Sequence, residues 1–456
     1  MRTYLRAASV ALAVTALAAA TMQGVGAQES GPSTGPDNAI TDVPGVEVGH
    51  FDKSDEGFLS GTTVILTRDG AVGGVDVSGG GPGTRETDLL APGNLVERAH
   101  AIVLSGGSAY GLDAAHGTML WLEEQQIGYP VGFTPDQIVP IVPAAILFDL
   151  GRGGLFTARP DQDFGYQAAA NAAGGPVATG NVGAGMGASA GGLKGGFGTA
   201  SIDLGDGIYV AAVVAINAAG QPFNPATCEL YGAYLEVGDE FGGLTTPAPE
   251  DCQDSGFGGS SASTTTEGVN ALNTTIGVVA TNLPLTKAQA GKMAAVAHDG
   301  MARGIRPVHT QFDGDTIFAL STGKGQITSE CTTAAVFPVD AVCTIVLNDV
   351  FQAGADAFTR AIVHAMIDAQ TVAGLTSYCD EFPTACAGTS GPATDGGAGQ
   401  TTGGGGATLE ESPLPIPTPV TGGGLGAAVL LIAGALFLRR RRGHTEPGGV
   451  AARATG

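Results

Sequence analysis

Short apolar runs of strand type alternate with helical patterns from residue 39 to residue 369, joined by long Gly-rich connections. Thr62–Thr67, Ile102–Leu104, Ile208–Ile216, Ile276–Ala280 and Thr316–Leu320 read as strands, rich in β-branched residues. A helix is expected over 286–303. Thr286 and Gln289 form a capping box there, and Ala290, Met293, Ala294 and Ala297 share one face. A second helix is expected over 349–369, with Phe351, Ala355, Phe358, Ile362 and Met366 at helical spacing. Residues 39–50 read as strand and turn, and Leu89–Ala91 with Val96–Ala99 as a short helix. Ser105-Gly-Gly-Ser opens a helix running toward Glu124, and its amides either hold an anion or only permit close packing. The alternation predicts a layered α/β (α+β) domain rather than an all-β one.

Composition sets the surroundings of that domain. The net charge is −23 with only 20 Lys+Arg, which excludes nucleic acid as a partner, because phosphate binding needs clustered cations. Residues 1–27 read as a signal peptide: Arg2 and Arg6, an apolar Ala7–Ala20, and the small-residue end Val25-Gly26-Ala27. Residues 387–422 form a Gly/Thr/Pro-rich linker, and 423–442 an apolar segment closed by a basic stop, before a tail at 443–456. At ~1.5 Å per residue, Gly424–Leu438 would reach ~23 Å of a ~30 Å hydrocarbon core. Pro419-Val420-Thr421-Gly422 makes the same region similar to a cell-wall sorting signal, with Thr418 where such a signal has leucine. The expectation is therefore a secreted protein held at the cell surface by a C-terminal transmembrane segment or wall anchor. Six cysteines fit disulfides, with near-neighbour pairs 228–252, 331–343 and 379–386 expected. No zinc-type spacing occurs, so no metal or cofactor is expected.

One junction carries chemistry. Asn273-Thr274 lies where the polar run Asp254–Gly268 gives way to the strand at Ile276. Thr274 either simply enters the strand or attacks the preceding carbonyl, turning the amide into an ester that water cuts. A new chain would then begin at Thr274, whose free amine serves as base for its own hydroxyl. Lys194, in Gly191-Gly-Leu-Lys-Gly-Gly196, is an exposed turn lysine or a site residue. Asp313-Gly314-Asp315 is a solvated turn or an orienting acid pair. Asn217 ends the strand from Ile208. Gly183-Ala-Gly185-Met-Gly187 lacks the spacing of a nucleotide loop.

Six motifs occur in order. They are Asp42-Val-Pro-Gly-Val-Glu-Val-Gly-His50, Asp76-Val-Ser-Gly-Gly-Gly-Pro-Gly-Thr-Arg-Glu-Thr-Asp88, Leu104-Ser-Gly-Gly-Ser-Ala-Tyr-Gly-Leu112, Gly192-Leu-Lys-Gly-Gly196, Asn273-Thr-Thr-Ile276 and Arg306-Pro-Val-His-Thr-Gln-Phe-Asp-Gly-Asp315. Over roughly 38–372 the chain resembles the self-processing DmpA-like L-aminopeptidase/D-esterase peptidases, most of all their nylon-oligomer hydrolase branch. The resemblance implies a four-layer αββα sandwich, shared with the ornithine acetyltransferases. It implies a peptidase domain at 28–386, cut into 28–273 and 274–386 chains that stay together and assemble as a homo-oligomer. It assigns Thr274 as nucleophile, with Lys194, Asn217, Asp313 and Asp315 around it and Asn273-Thr274 as the cleavage site. Asn217 is expected to donate its amide NH₂ to the oxyanion. Phe148 stands where relatives often have tyrosine.

The leading expectation is a self-cleaving aminopeptidase or amidase acting on short peptides or amides. An acyltransferase of the ornithine acetyltransferase type is the alternative within the same fold. A self-cleaved surface binding protein without turnover is the alternative from another class. Thiol titration of the denatured, unreduced protein should find no free thiol; six free thiols would overturn the disulfide expectation.

Overall fold

The computed structural model describes residues 32–255, 272–326 and 341–389. The expected signal peptide, most of the linker, the apolar segment 423–442, the tail and Cys331 lie outside the described residues. Nine strands form the main sheet: β1 (Glu47–Lys53), β2 (Ser60–Val77), β3 (Thr84–Arg85), β4 (Arg98–Ser105), β5 (Ala144–Ile146), β6 (Phe197–Asp203), β7 (Tyr209–Ala215), β8 (Ile276–Thr281) and β9 (Thr316–Ser321). Four longer helices accompany them: α1 (Ala114–Glu124), α2 (Gln162–Ala170), α3 (Lys287–Gly304) and α4 (Ala341–Ile367). The strand order is β6-β7-β8-β9-β2-β4-β5-β3, with β1 also on β2. The β8–β9 and β4–β5 pairs are parallel and the others antiparallel.

The long strand β2 serves two layers. Its first part pairs with β1 and β4, and its last part, Val72–Val77, pairs with β9. The register on β4 shifts between Leu66 and Ala71, where Gly70 adopts φ +72°. A bulge with a left-handed glycine bends and twists a strand, so one strand can pass from one sheet layer to the next.

Side-chain alternation then produces the four layers. On β7, Val210, Ala212 and Val214 face Ala290, Met293 and Ala297 of α3 and Phe358 and Ile362 of α4. Ala211, Val213 and Ala215 face the opposite way, with Ile276, Val278, Phe318 and Leu320, onto Ile65, Ile102 and Leu104. Val64, Leu66, Ala101 and Val103 cover the far side against Ala114, Trp121, Leu122 and Ala168 of α1 and α2. The order is helices, sheet, sheet, helices: the αββα sandwich.

The outer helices depend on missing side chains. A Cβ on Gly117 would lie 1.7 Å from the Gln162 carbonyl oxygen, and one on Gly165 would lie 1.8 Å from that of Ala114. Thr118 Oγ1 donates to the Gly165 carbonyl across the same crossing at 3.0 Å.

Several local expectations need correction. Helix α4 begins at Ala341, earlier than the expected 349. The β-branched run Thr344-Ile345-Val346 has weak helix propensity, but it continues a helix that is anchored further on by Val350, Phe358 and Ile362. Arg98 and Ala99 belong to β4 rather than a helix, and only Asp88–Leu90 form a helical turn. The α3 capping box forms as expected. The Cys228–Cys252 and Cys379–Cys386 bridges are present, and Cys343 is also disulfide-bonded.

The expected membrane-anchored surface location is corrected as well. Among the described residues no helix is long and apolar enough to cross a membrane. The longest, α4, spends its apolar face on the sheet.

Gly165→Ala should lower stability by about 1–3 kcal/mol through overpacking of the α1–α2 crossing. Gly174→Ala, where a Cβ meets nothing within 4 Å, should be near neutral. Paired thermal melts check the difference.

Candidate active site

Topology brings three strand ends to one place. Ala215 at the end of β7 pairs with Ile276 at the start of β8, and Ile276 pairs with Thr316 at the start of β9. Residues just outside these pairs must therefore meet: Asn217 beyond β7, Asn273–Thr275 before β8, and Asp313–Asp315 before β9. A parallel bridge between Asn273 and Asp313 extends the contact.

Thr274 is 4% exposed and held on both sides. Its N–H donates to the Asn217 carbonyl at 2.6 Å, and its Oγ1 donates to the carbonyl oxygen of Asn273. The Gly314 N–H reaches both that carbonyl oxygen and Oγ1, at 3.2 Å each. Thr275 points elsewhere. It is fully buried, and its hydroxyl has no hydrogen-bond partner among the described residues.

The two aspartates are anchored rather than solvated. Asp315 accepts from Thr275 N at 2.8 Å and His309 N at 3.0 Å, and pairs with His309 Nδ1 at 2.8 Å. Asp313 accepts from Thr310 N and Oγ1 at 2.9 and 2.7 Å, and from Ala219 N at 3.3 Å. Burial, with the charge of Asp315, raises the Asp313 pKa. The Ser78–Gly81 turn locks this loop from outside. Ser78 N and Gly79 N donate to the Asp315 carbonyl, and Gly81 N to that of Asp313. A Cβ on Gly79 would sit 2.2 Å from Asp315 N, which is why the turn is glycine.

Lys194 is not a turn lysine in water; it is fully buried. It closes a hairpin of Ser189–Ala190 with Leu193–Lys194, turned by Gly191 and Gly192 at φ +58° and +92°. Its ammonium donates to the carbonyls of Gly185 and Gly195 at 2.8 and 2.5 Å. Burial pulls its pKa down to about 7; nearby Asp149 opposes that fall and nearby Arg152 adds to it. No hydrogen bond joins Lys194 to Thr274. The link runs through the hairpin, since Ser189 N donates to Asn217 Oδ1 at 3.0 Å.

Two charged groups stand out only in three dimensions. Arg152 donates to Asn217 Oδ1, and through Nη2 to Leu272 O and Asn273 Oδ1, both at 3.0 Å. Its guanidinium lies 5.8 Å from the centre of the Phe148 ring. Burial lowers its pKa, opposed by Asp149. Asp149 is buried, accepts from Ser60 Oγ and Gly107 N at 2.7 Å each, and has its pKa raised by burial. So the Gly107 amide at this turn is taken up by a carboxyl group of the chain itself. The signal available for Arg152 was a cation set among Gly151, Gly153 and Gly154 in a chain poor in cations. The expected orientation of Asn217 differs here: its NH₂ donates to the Phe148 carbonyl at 3.1 Å, and its oxygen faces Arg152.

The four-layer αββα sandwich places the chain with hydrolases of the N-terminal-nucleophile (Ntn) fold. The profile of Peptidase family S58 matches residues 38–379. An uncharacterized aminopeptidase of Mycobacterium leprae (strain TN) is 46% identical over 361 residues, covering 76% of this chain and 95% of its own. A 6-aminohexanoate-oligomer endohydrolase of Agromyces sp. (strain KY5R) is 34% identical over 305 residues, covering 64% of this chain and 77% of its own. The solved L-aminopeptidase D-Ala-esterase/amidase of Ochrobactrum anthropi, described as a variant of the Ntn hydrolase fold, superposes with a TM-score of 0.53 at 26% identity. That match covers 76% of this chain and 93% of the other. The chain belongs to peptidase family S58 and hydrolyses peptide or amide bonds.

Between pH 7 and 10.5 the unfolded chain carries a proton on Lys194 that the folded chain has lost, so this group makes stability rise with pH across that window. Lys194→Met removes the group. Thermal midpoints measured from pH 7 to 10 should rise less steeply in Lys194→Met than in wild type; parallel curves would overturn the burial assignment.

Proposed function

We propose that the chain cuts itself between Asn273 and Thr274, and that Thr274 then acts as the N-terminal nucleophile of an aminopeptidase or amidase. The observation that carries this reading is the contact of Thr274 Oγ1 with the Asn273 carbonyl, with the Gly314 N–H donating to the same oxygen. In self-cleavage Oγ1 bonds to the Asn273 carbonyl carbon and gives up its proton. The amide nitrogen takes a proton and leaves as the Thr274 amine, forming an ester. Water then hydrolyses the ester, freeing the hydroxyl and leaving a carboxylate on Asn273. Turnover repeats the cycle on a substrate carbonyl, with the Thr274 amine as base. Negative charge on the carbonyl oxygen would meet the Gly314 N–H, a kind of donor worth on the order of 3 kcal/mol in a transition state.

The remaining residues receive supporting roles. A terminal amine has a reference pKa near ~8, and the positive charge of Arg152, bonded to Asn273 Oδ1, favours its neutral form. Asp315 holds Thr275 N and Asp313 is bridged to the Asn273 strand, which fixes the residues flanking the amine. The chains would be 28–273 and 274–386. Substrates are short peptides or amides, and the name of the Agromyces relative adds ω-amino-acid oligomers as candidates to assay.

The purified protein should give two fragments, the smaller beginning Thr-Thr-Ile-Gly-Val-Val. Thr274→Ala should give one uncut chain without amidase activity, while Thr275→Ala should still be cut. N-terminal sequencing and aminoacyl p-nitroanilide turnover check this. A start at Thr275, or clean cleavage in Thr274→Ala, overturns the nucleophile.

A further inference from the structure

We propose that Arg152 forms an acyl-side subsite that selects substrates carrying a carboxylate, or failing that an amide oxygen, on the residue whose carbonyl is attacked. The proposal rests on Thr274 as the nucleophile. In the uncut chain Asn273 is itself the acyl donor presented to Thr274. Whatever surrounds Leu272–Asn273 is therefore the surface against which a later substrate's acyl residue lies.

Arg152 is the charged group on that surface. Nη1 is anchored on Asn217 Oδ1, while Nη2 takes the Leu272 carbonyl and the Asn273 side-chain oxygen, both at 3.0 Å. All three acceptors are uncharged oxygens. In a chain with 43 Asp+Glu, no carboxylate forms an ion pair with Arg152 among the described residues. Asp149 is close enough to act on it through space, but its oxygens are taken up by Ser60 and Gly107.

When Leu272 and Asn273 withdraw after cleavage, Nη2 loses two acceptors and Nη1 keeps its anchor. A partly buried guanidinium left with unfilled donors is costly, and its planar fork matches a carboxylate. An aspartyl side chain has the shape of Asn273 and replaces a neutral acceptor by a charged one, roughly doubling the bond strength. A lysyl side chain would instead set a second cation against Arg152.

The test uses processed wild-type protein and four anilides: aspartyl, asparaginyl, leucyl and lysyl p-nitroanilide. The expected order of kcat/KM is aspartyl first, at least about tenfold above leucyl, then asparaginyl, with lysyl last. In Arg152→Gln the aspartyl-to-leucyl ratio should fall toward one, chiefly through KM. Because Arg152 also holds Asn273 in the uncut chain, a second measurement uses wild type alone. Succinate should raise the thermal midpoint of the processed protein, while butylamine should not. Equal rates across the four anilides overturn the subsite and leave the hydrolase reading intact. No succinate shift overturns the subsite whether or not any anilide is turned over, which is also the result expected if the new Asn273 carboxylate stays on Arg152.

Discussion

The register of three neighbouring strands is the constraint on which the site depends. Ala215, Ile276 and Thr316 are locked side by side by backbone hydrogen bonds. A slip of one residue in β8 would turn Val278 and Ala280 away from the inner core and would carry Thr274 off the Asn217 carbonyl. The hydrophobic alternation that stabilises the sandwich is therefore the same pattern that aims a hydroxyl at its own preceding carbonyl. Packing and chemistry share one register, and neither can drift without the other.

Around that register the protein keeps charges dry. Lys194, Asp149, Asp313 and Asp315 are all buried. Each would be expensive alone, and each is held by oriented dipoles: carbonyls for the lysine, amides and hydroxyls for the acids. The glycines make this possible. Gly106 and Gly79 let backbone come close to Asp149 and Asp315, where a Cβ would stand 2.1 and 2.2 Å from their nearest atoms. Arg152 lies on the Asn273 side of Thr274, with Asp149 acting on it through space, while Asp313 and Asp315 lie on the strand β9 side.

Much of this was legible in the chain. Strand and helix alternation gave the layered class, and the capping box at Thr286 located the start of α3. The ordered motifs brought Thr274, Lys194, Asn217, Asp313 and Asp315 to attention before any geometry. What the residues could not say was where a side chain points. Asn217 was expected to offer its NH₂, but the neighbouring guanidinium claims its oxygen and turns the amide toward Phe148. Arg152 itself belongs to no periodic pattern. It becomes visible only when the turn after Asp149 folds over Leu272, a pairing of residues 120 positions apart. The start of α4 was placed late because the apolar spacing that marks the helix becomes regular only from Phe351, while the weak helix formers Thr344-Ile345-Val346 continue it toward Ala341.

The place of β8 and β9 in the sheet has a consequence for the two proposed chains. Both strands come from the C-terminal segment, yet they stand between β7 and β2, which come from the N-terminal one. Pulling the segments apart would tear open two ladders at once and leave raw edges on β7, β8, β9 and β2, besides unroofing the inner core. A cut at the head of β8 therefore severs the chain without creating a detachable subunit: the fragments would be mechanically interleaved, like fingers of two hands, and would unfold before they part.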